Sequence, residues 1–285
     1  HTRFKCDWSS DVCSSDLLQG HSYNALLRDG RAVSKVMQGV TTEIMGEGTT
    51  PAPRGGRIAP AAEPGDTAAA RRDREWRSIA DWLLETEQRG ASLNIGTFIG
   101  AGTVREYVLG MEARAPTPAE LDSMRAVVAR AMQDGAFGVA SALIYPPDAF
   151  ASTDEMVALA AGAARHGGIY VTHMRSEADQ LLEALAETLE IGRRAAAPVE
   201  IYHLKAAGRR NWHKFPSAIA MIDSARAAGL DVTANVYPYT AAGTGLTACL
   251  PPWTAEGGRL YETLADLAAR ERIRSEILAA DTATA

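Results

Sequence analysis

With 285 residues, 46% of them hydrophobic, the chain is long enough to bury a large core and fits one large domain or two small ones. Its net charge of −6, with no basic stripe interleaved with aromatics, argues against a nucleic-acid partner, and no apolar run reaches the roughly eighteen residues of a membrane span. Three cysteines, Cys6, Cys13 and Cys249, are too few for a disulfide framework in a chain of this length, and no Cys-x-x-Cys pair marks a structural zinc.

Residues 1–16, HTRFKCDWSSDVCSSD, have neither helical nor strand period and contain a near-repeat, so they read as a non-native leader with the native chain starting near Leu17. Gln19-Gly20-His21 then ends the remnant of a first strand, and 32–38 reads as a short helical connection. The β-branched run Val40-Thr41-Thr42-Glu43-Ile44-Met45 is bounded by glycine and ends in Gly46-Glu47-Gly48, which places Glu47 just beyond a strand's carboxyl end. Residues 51–73, rich in Pro, Gly, Ala and Arg, read as a loop. A helical period returns over 76–89, with Trp76, Ile79, Trp82 and Leu83 on one face, and a strand follows at 93–98. Thr117-Pro118-Ala119-Glu120 has the spacing of a capping box and opens a helix to about Gln133; a strand at 135–141 and a helix from Ser152 to near His166 come next.

The centre of the chain is 168–208. Two short runs rich in β-formers, Ile169-Tyr170-Val171-Thr172 and Val199-Glu200-Ile201-Tyr202, end on His173 and His203, with one amphipathic helix between them. A strand, a helix and a strand of this length form a βαβ unit with parallel strands, so both imidazoles emerge at the same end of the sheet. In parallel α/β folds that carboxyl end is where ligands bind. A helix over 215–228, a strand over 231–236 and a helix over 260–278 complete the reading. Strands near residues 18, 42, 96, 138, 171, 201 and 233 make seven βα-type repeats, so the expected fold is α/β, an incomplete (β/α)8 TIM-like barrel with about seven of its eight strands.

His21, Glu47, His173 and His203 thus fall at the ends of strands one, two, five and six. Imidazole and carboxylate are the donors of a zinc site that polarises a carbonyl and acidifies a water, and hydrolysis is the natural use of such a site. Bland roles stand beside this one. A single histidine at a strand end is more often a hydrogen-bonded structural residue, Glu47 between two glycines suits a solvated turn, and His21 suits a helix cap. Two histidines at equivalent places in consecutive units favour a metal or acid/base pair. His166 and His213 lie on no strand end and read as structural.

The segments QGVTTEIMGEG, GVASALIYPPDAFASTDEM, YVTHMRSE, IYHLKAAGRRNW and NVYPYTAAGTGLTACLPPW, in this order and spacing, resemble the N-acyl-D-amino-acid deacylases of the metal-dependent amidohydrolase superfamily, and the resemblance runs from about Leu17 onward. It implies a zinc barrel hydrolysing the amide of a small N-acylated D-amino acid. His173 and His203 match the paired ligands of strands five and six, and Glu47 stands where many members have a zinc-ligating cysteine. His21 matches the second histidine of a His-x-His motif whose first place is Gln19 here, and glutamine is a poor zinc ligand. One tightly held Zn2+ at Glu47, His173 and His203 is expected, with a second site weakened. Tyr145, Lys205 and Tyr237 match positions that bind the substrate carboxylate or polarise its carbonyl, and Gly243 replaces a serine common in the family.

The family's catalytic aspartate ends an eighth strand that these 285 residues do not reach, and a substrate-binding arginine follows it. The expected organisation is therefore a leader at 1–16, an incomplete catalytic barrel at 17–247 and the start of an inserted subdomain at 248–285, in a fragment that turns over little or nothing by itself. Cyclic-amide hydrolases, isoaspartyl dipeptidases and a non-catalytic ligand-binding barrel are the rival readings. Oligomeric state is open, as is compartment, where the cytoplasm ranks ahead of secretion.

Overall fold

The computed structural model describes residues 15–58, 76–239, 241 and 243–282. In chain order the barrel elements are β1 Ser15–Gly20, α1 Tyr23–Arg28, α2 Val33–Val36, β2 Val40–Met45, α3 Ile79–Arg89, β3 Asn94–Thr97, β4 Ile99–Gly100, α4 Ala101–Leu109, α5 Pro118–Gln133, β5 Gly138–Ala142, α6 Thr153–Ala164, β6 Ile169–His173, α7 Leu181–Ala195, β7 Val199–Ile201, α8 Phe215–Ala227 and β8 Val232–Ala234. Every strand pair is parallel, in the orders β1-β2-β3 and β4-β5-β6-β7-β8. The two sheets meet at one kink, Phe98, which joins β3 to β4. Its amide donates to Met45 O at 2.8 Å, while Phe137 N donates to Thr97 O at 2.9 Å. β3 and β4 are therefore halves of one barrel strand that changes partner, and the seven-strand count holds. β1 and β8 are the edges among the described residues.

Strand periodicity separates two apolar populations, because neighbouring residues point to opposite faces. Met45, Tyr170 and Ile201 join the large core between sheet and helices, whereas Ile44, Val171 and Tyr202 pack with Phe98 and Ala140 on the other face. Helix α7 covers the sheet because Leu181, Ala184, Leu185, Thr188, Ile191 and Ala195 recur at helical spacing and are all buried. Burial of each large aliphatic side chain here contributes roughly 1.5–3 kcal/mol. A fully buried ion pair, Arg105 with Glu155 at 2.6 Å, ties α4 to α6; the same guanidinium donates to the carbonyls of Glu112 and Arg114 at 3.0 and 2.7 Å.

Several expectations shift. β1 begins at Ser15, inside the stretch read as a leader, and pairs Asp16 with Thr42; residues 1–14, with Cys6 and Cys13, and most of the 51–73 loop lie outside the described residues. The connection at 32–38 is the short helix α2, preceded by α1. The helix expected from Trp76 starts at Ile79, since Ser78 caps it by accepting from Asp81 N. Helix α4 has no counterpart in the sequence reading: six of its nine residues are buried, so it carries no amphipathic period. The final helix is broken into α9 Leu260–Ala265 and α10 Leu267–Thr282, where Asp266 leaves helical geometry and its carboxylate accepts from Ala268 N at 2.7 Å. No described helix is long and apolar enough to cross a membrane.

Candidate metal centre

Glu47 sits on a turn that only glycine permits. Gly46 and Gly48 have φ of +111° and +62°; a Cβ at the first would lie 2.7 Å from Phe98 O, and one at the second 2.7 Å from Ala142 Cβ. The turn is pressed against strands three and four of the barrel, and the Glu47 side chain, 8% exposed, points back over the strand ends. Its Oε1 lies 2.8 Å from His173 Nδ1 and 3.7 Å from His203 Nε2, and its Oε2 lies 3.0 Å from His21 Nε2 and accepts from the Gln19 amide.

His173 is the last residue of β6 and His203 follows β7 by two, so parallel pairing puts the rings edge to face, 4.4 Å between centroids. His203 adopts φ of +40°, a left-handed conformation that costs on the order of 1–2 kcal/mol. Asn235, just past β8, braces it: the His203 N–H donates to Asn235 Oδ1 at 2.6 Å, and Asn235 Nδ2 donates to Glu200 Oε1 at 3.1 Å. Tyr145 and Tyr237 flank the pair, with ring centroids 5.4 Å from His173 and 6.2 Å from His203, and Lys205 Nζ stands 5.3 Å from the Tyr237 ring. Tyr145 also shares a 2.7 Å hydrogen bond with Thr244, next to Gly243.

One group was absent from the sequence reading. Glu177, half-buried beyond β6, accepts from Lys205 Nζ and lies 2.7 Å from His203 Nδ1 and 3.8 Å from His173 Nε2. Its signal was the carboxylate four residues after His173 in YVTHMRSE. All seven residues singled out from sequence, Glu47, His173, His203, His21, Tyr145, Lys205 and Tyr237, meet around the two imidazoles; His166 and His213 stay exposed and apart. Of the seven, His21 is the outlying one, with a side chain 63% exposed.

Electrostatics follow from these contacts. Burial pushes the Glu47 carboxyl upward, but contacts with His173, His203, His21 and Gln19 outweigh it and hold the group ionised far below the usual carboxylate range. Burial likewise raises Glu177, and the His203 hydrogen bond with the His173 and Lys205 contacts brings it below its ordinary value. Burial lowers His203, and contact with the two carboxylates turns the net shift upward.

A cation fits this donor set. Among the described residues no Lys or Arg pairs with Glu47, so a buried carboxylate is met only by imidazoles and an amide. One atom each from Glu47, His173 and His203 lies within 4.8 Å of the others. Donors on a tetrahedral ion with bonds of ~2.1 Å stand about 3.4 Å apart, and the observed 2.8 and 3.7 Å bracket that spacing. Two imidazoles and one carboxylate are also a donor set of catalytic zinc, with a fourth position left open.

No protein-family model matches the chain. A D-aminoacylase of Alcaligenes xylosoxydans xylosoxydans is 35% identical over 244 residues, covering 85% of this chain and 49% of the relative. A solved D-aminoacylase, described as having a binuclear metal centre with one-metal activation and second-metal attenuation, superposes with a TM-score of 0.70 at 32% identity over 79% of this chain and 47% of its own. The N-acyl-D-glutamate deacylase of Bordetella bronchiseptica, solved with zinc and a phosphonate mimic of the tetrahedral intermediate, gives 0.69 at 29% identity over 79% and 47%. The chain spans about half the length of the curated relatives it matches. Over most of its length the chain is similar to D-aminoacylases and to N-acyl-D-aspartate and N-acyl-D-glutamate deacylases.

Proposed function

We propose that the protein hydrolyses the amide bond of N-acyl-D-amino acids, giving a carboxylate and a free D-amino acid, with Zn2+ held by Glu47, His173 and His203. The observation that carries this reading is the convergence of those three side chains, with one donor atom of each within 4.8 Å of the others, on a buried carboxylate with no Lys or Arg beside it among the described residues. When bound, zinc supplies Lewis acidity at the amide carbonyl. The remaining work falls to the chain itself. Lys205 provides a fixed positive charge two residues beyond His203, suited to a substrate carboxylate, and Tyr145 and Tyr237 offer phenolic donors on either side of the imidazole pair. Gly243 leaves open space near Tyr145, so the acyl or side-chain end of the substrate meets fewer polar donors there. The exposed His21 and the Gln19 amide make the Oε2 side of Glu47 the weaker place for a second ion. Residues 17–247 are read as the incomplete catalytic barrel and 248–285 as the start of an inserted subdomain.

The test is an assay of the intact polypeptide, stripped with chelator and reloaded with Zn2+, against N-acetyl-D-amino acids, their L-enantiomers, hydantoins and isoaspartyl dipeptides. Zinc-dependent release of the free amine from the D-series alone is expected. Preferential opening of hydantoins or cleavage of dipeptides would move the protein to another amidohydrolase activity, and failure to retain zinc would leave a ligand-binding barrel.

A further inference from the structure

The two imidazoles are held between two carboxylates. Each ring turns one nitrogen toward Glu47, His173 Nδ1 at 2.8 Å and His203 Nε2 at 3.7 Å, and the other toward Glu177, His173 Nε2 at 3.8 Å and His203 Nδ1 at 2.7 Å. The surroundings of the two carboxylates differ in kind. Among the described residues Glu47 has no Lys or Arg beside it, whereas the Lys205 ammonium already occupies the Glu177 side and disfavours a second cation there.

We infer that Glu177 is a positioning residue of this site: it fixes His203 as the Nδ1–H tautomer, leaving the Nε2 lone pair to face Glu47, and it anchors Lys205. The inference rests on the metal-site reading above. A neutral imidazole has one donor and one acceptor nitrogen; with His203 Nε2 turned to the proposed metal position, the proton falls to Nδ1, 2.7 Å from a carboxylate that can only accept. The same oxygen, Oε1, accepts from Lys205 Nζ. Lys205 Nζ also lies 2.8 Å from His203 Nδ1, a contact that is a hydrogen bond in the other tautomer and a close approach of two donors in this one. Carboxylates that orient metal-bound histidines in this way raise ligand basicity, and their loss typically weakens metal affinity about 10–100-fold. Here one such group couples a ligand to the residue suited to the substrate's charge, since His203 and Lys205 share it.

The experiment measures Zn2+ affinity by competition with a chromogenic chelator for the parent, Glu177→Leu, Glu177→Gln and Glu47→Gln, with circular dichroism as the fold check. Glu177→Leu is expected to weaken binding about 10–100-fold and Glu177→Gln, which keeps an acceptor oxygen, to recover most of it. If Glu177→Leu stays within about threefold of the parent while Glu47→Gln loses binding, this inference fails and the metal site stands; if Glu47→Gln also stays within threefold, the metal reading itself fails. Long-range 15N–1H NMR of the unsubstituted zinc-loaded protein needs no variant. A protonated Nδ1 on His203 is expected, and a protonated Nε2 overturns the inference.

Discussion

The two oxygens of Glu47 face unlike neighbourhoods. Oε1 meets His173 and His203, with side chains 8% and 9% exposed, each at the end of a central strand and each with a second polar contact on its far nitrogen. Oε2 meets His21, 63% exposed at the end of the edge strand β1, and the amide of Gln19. Enclosure and donor chemistry point the same way: the strand-five and strand-six side has the two better donors and the lower dielectric, and the strand-one side has one exposed imidazole and one weak donor. The proposed centre would accordingly have one stronger and one weaker position, on the two sides of Glu47.

The contrast can be broken most severely at its shared residue. Glu47→Ala removes the anion from both sides, and zinc retained after dialysis, read by plasma mass spectrometry, should fall below a tenth of the parent's occupancy, with activity falling in parallel. Next in size is the brace on the enclosed side. Asn235→Ala leaves the His203 amide unpaired at a left-handed φ and should cost about 1–3 kcal/mol in urea unfolding, together with weaker zinc binding. Unchanged stability would mean that the strand ends alone hold His203.

A pH effect tests the support behind the Glu47 turn. Asp148 packs against Gly48 and accepts from Ala142 N at 2.7 Å; burial pushes its carboxyl up to about 8, partly offset by that hydrogen bond and reinforced by the Glu155 charge. The folded chain then keeps a proton that the unfolded chain loses near pH 4, so stability falls as pH rises from about 4 to 8 and levels above that. Asp148→Asn should flatten this slope, as measured by urea unfolding at pH 5 and pH 8, and an undiminished slope would assign it elsewhere. The smallest effect belongs to the exposed side: His21→Ala should alter affinity for the first zinc equivalent by no more than about threefold, while weakening any second equivalent further.

Local periodicity carried the barrel. Short apolar runs located all seven barrel strands, and four ligand candidates, Glu47, His173, His203 and His21, could be placed because the carboxyl ends of parallel strands share one end of the sheet. Other features were invisible for identifiable reasons. Helix α4 is buried on most sides and lacks a polar face; the kink at Phe98 depends on which neighbour each half of the strand pairs with. Glu177 and Asn235 owe their importance to contacts with His203 made across 26 and 32 positions of sequence, and no spacing rule connects such residues before the strands are laid side by side. Asp148 was quoted within its motif, but its burial, and so its raised pKa, arises only once the Gly48 turn packs over it.

The most direct measurement is the zinc K-edge absorption spectrum of the protein loaded with one equivalent of Zn2+. A shell of nitrogen and oxygen alone, at ~2.0–2.2 Å and with two imidazoles, is the result expected for Glu47, His173 and His203. A sulfur distance near ~2.3 Å, or a shell without imidazole, would contradict it.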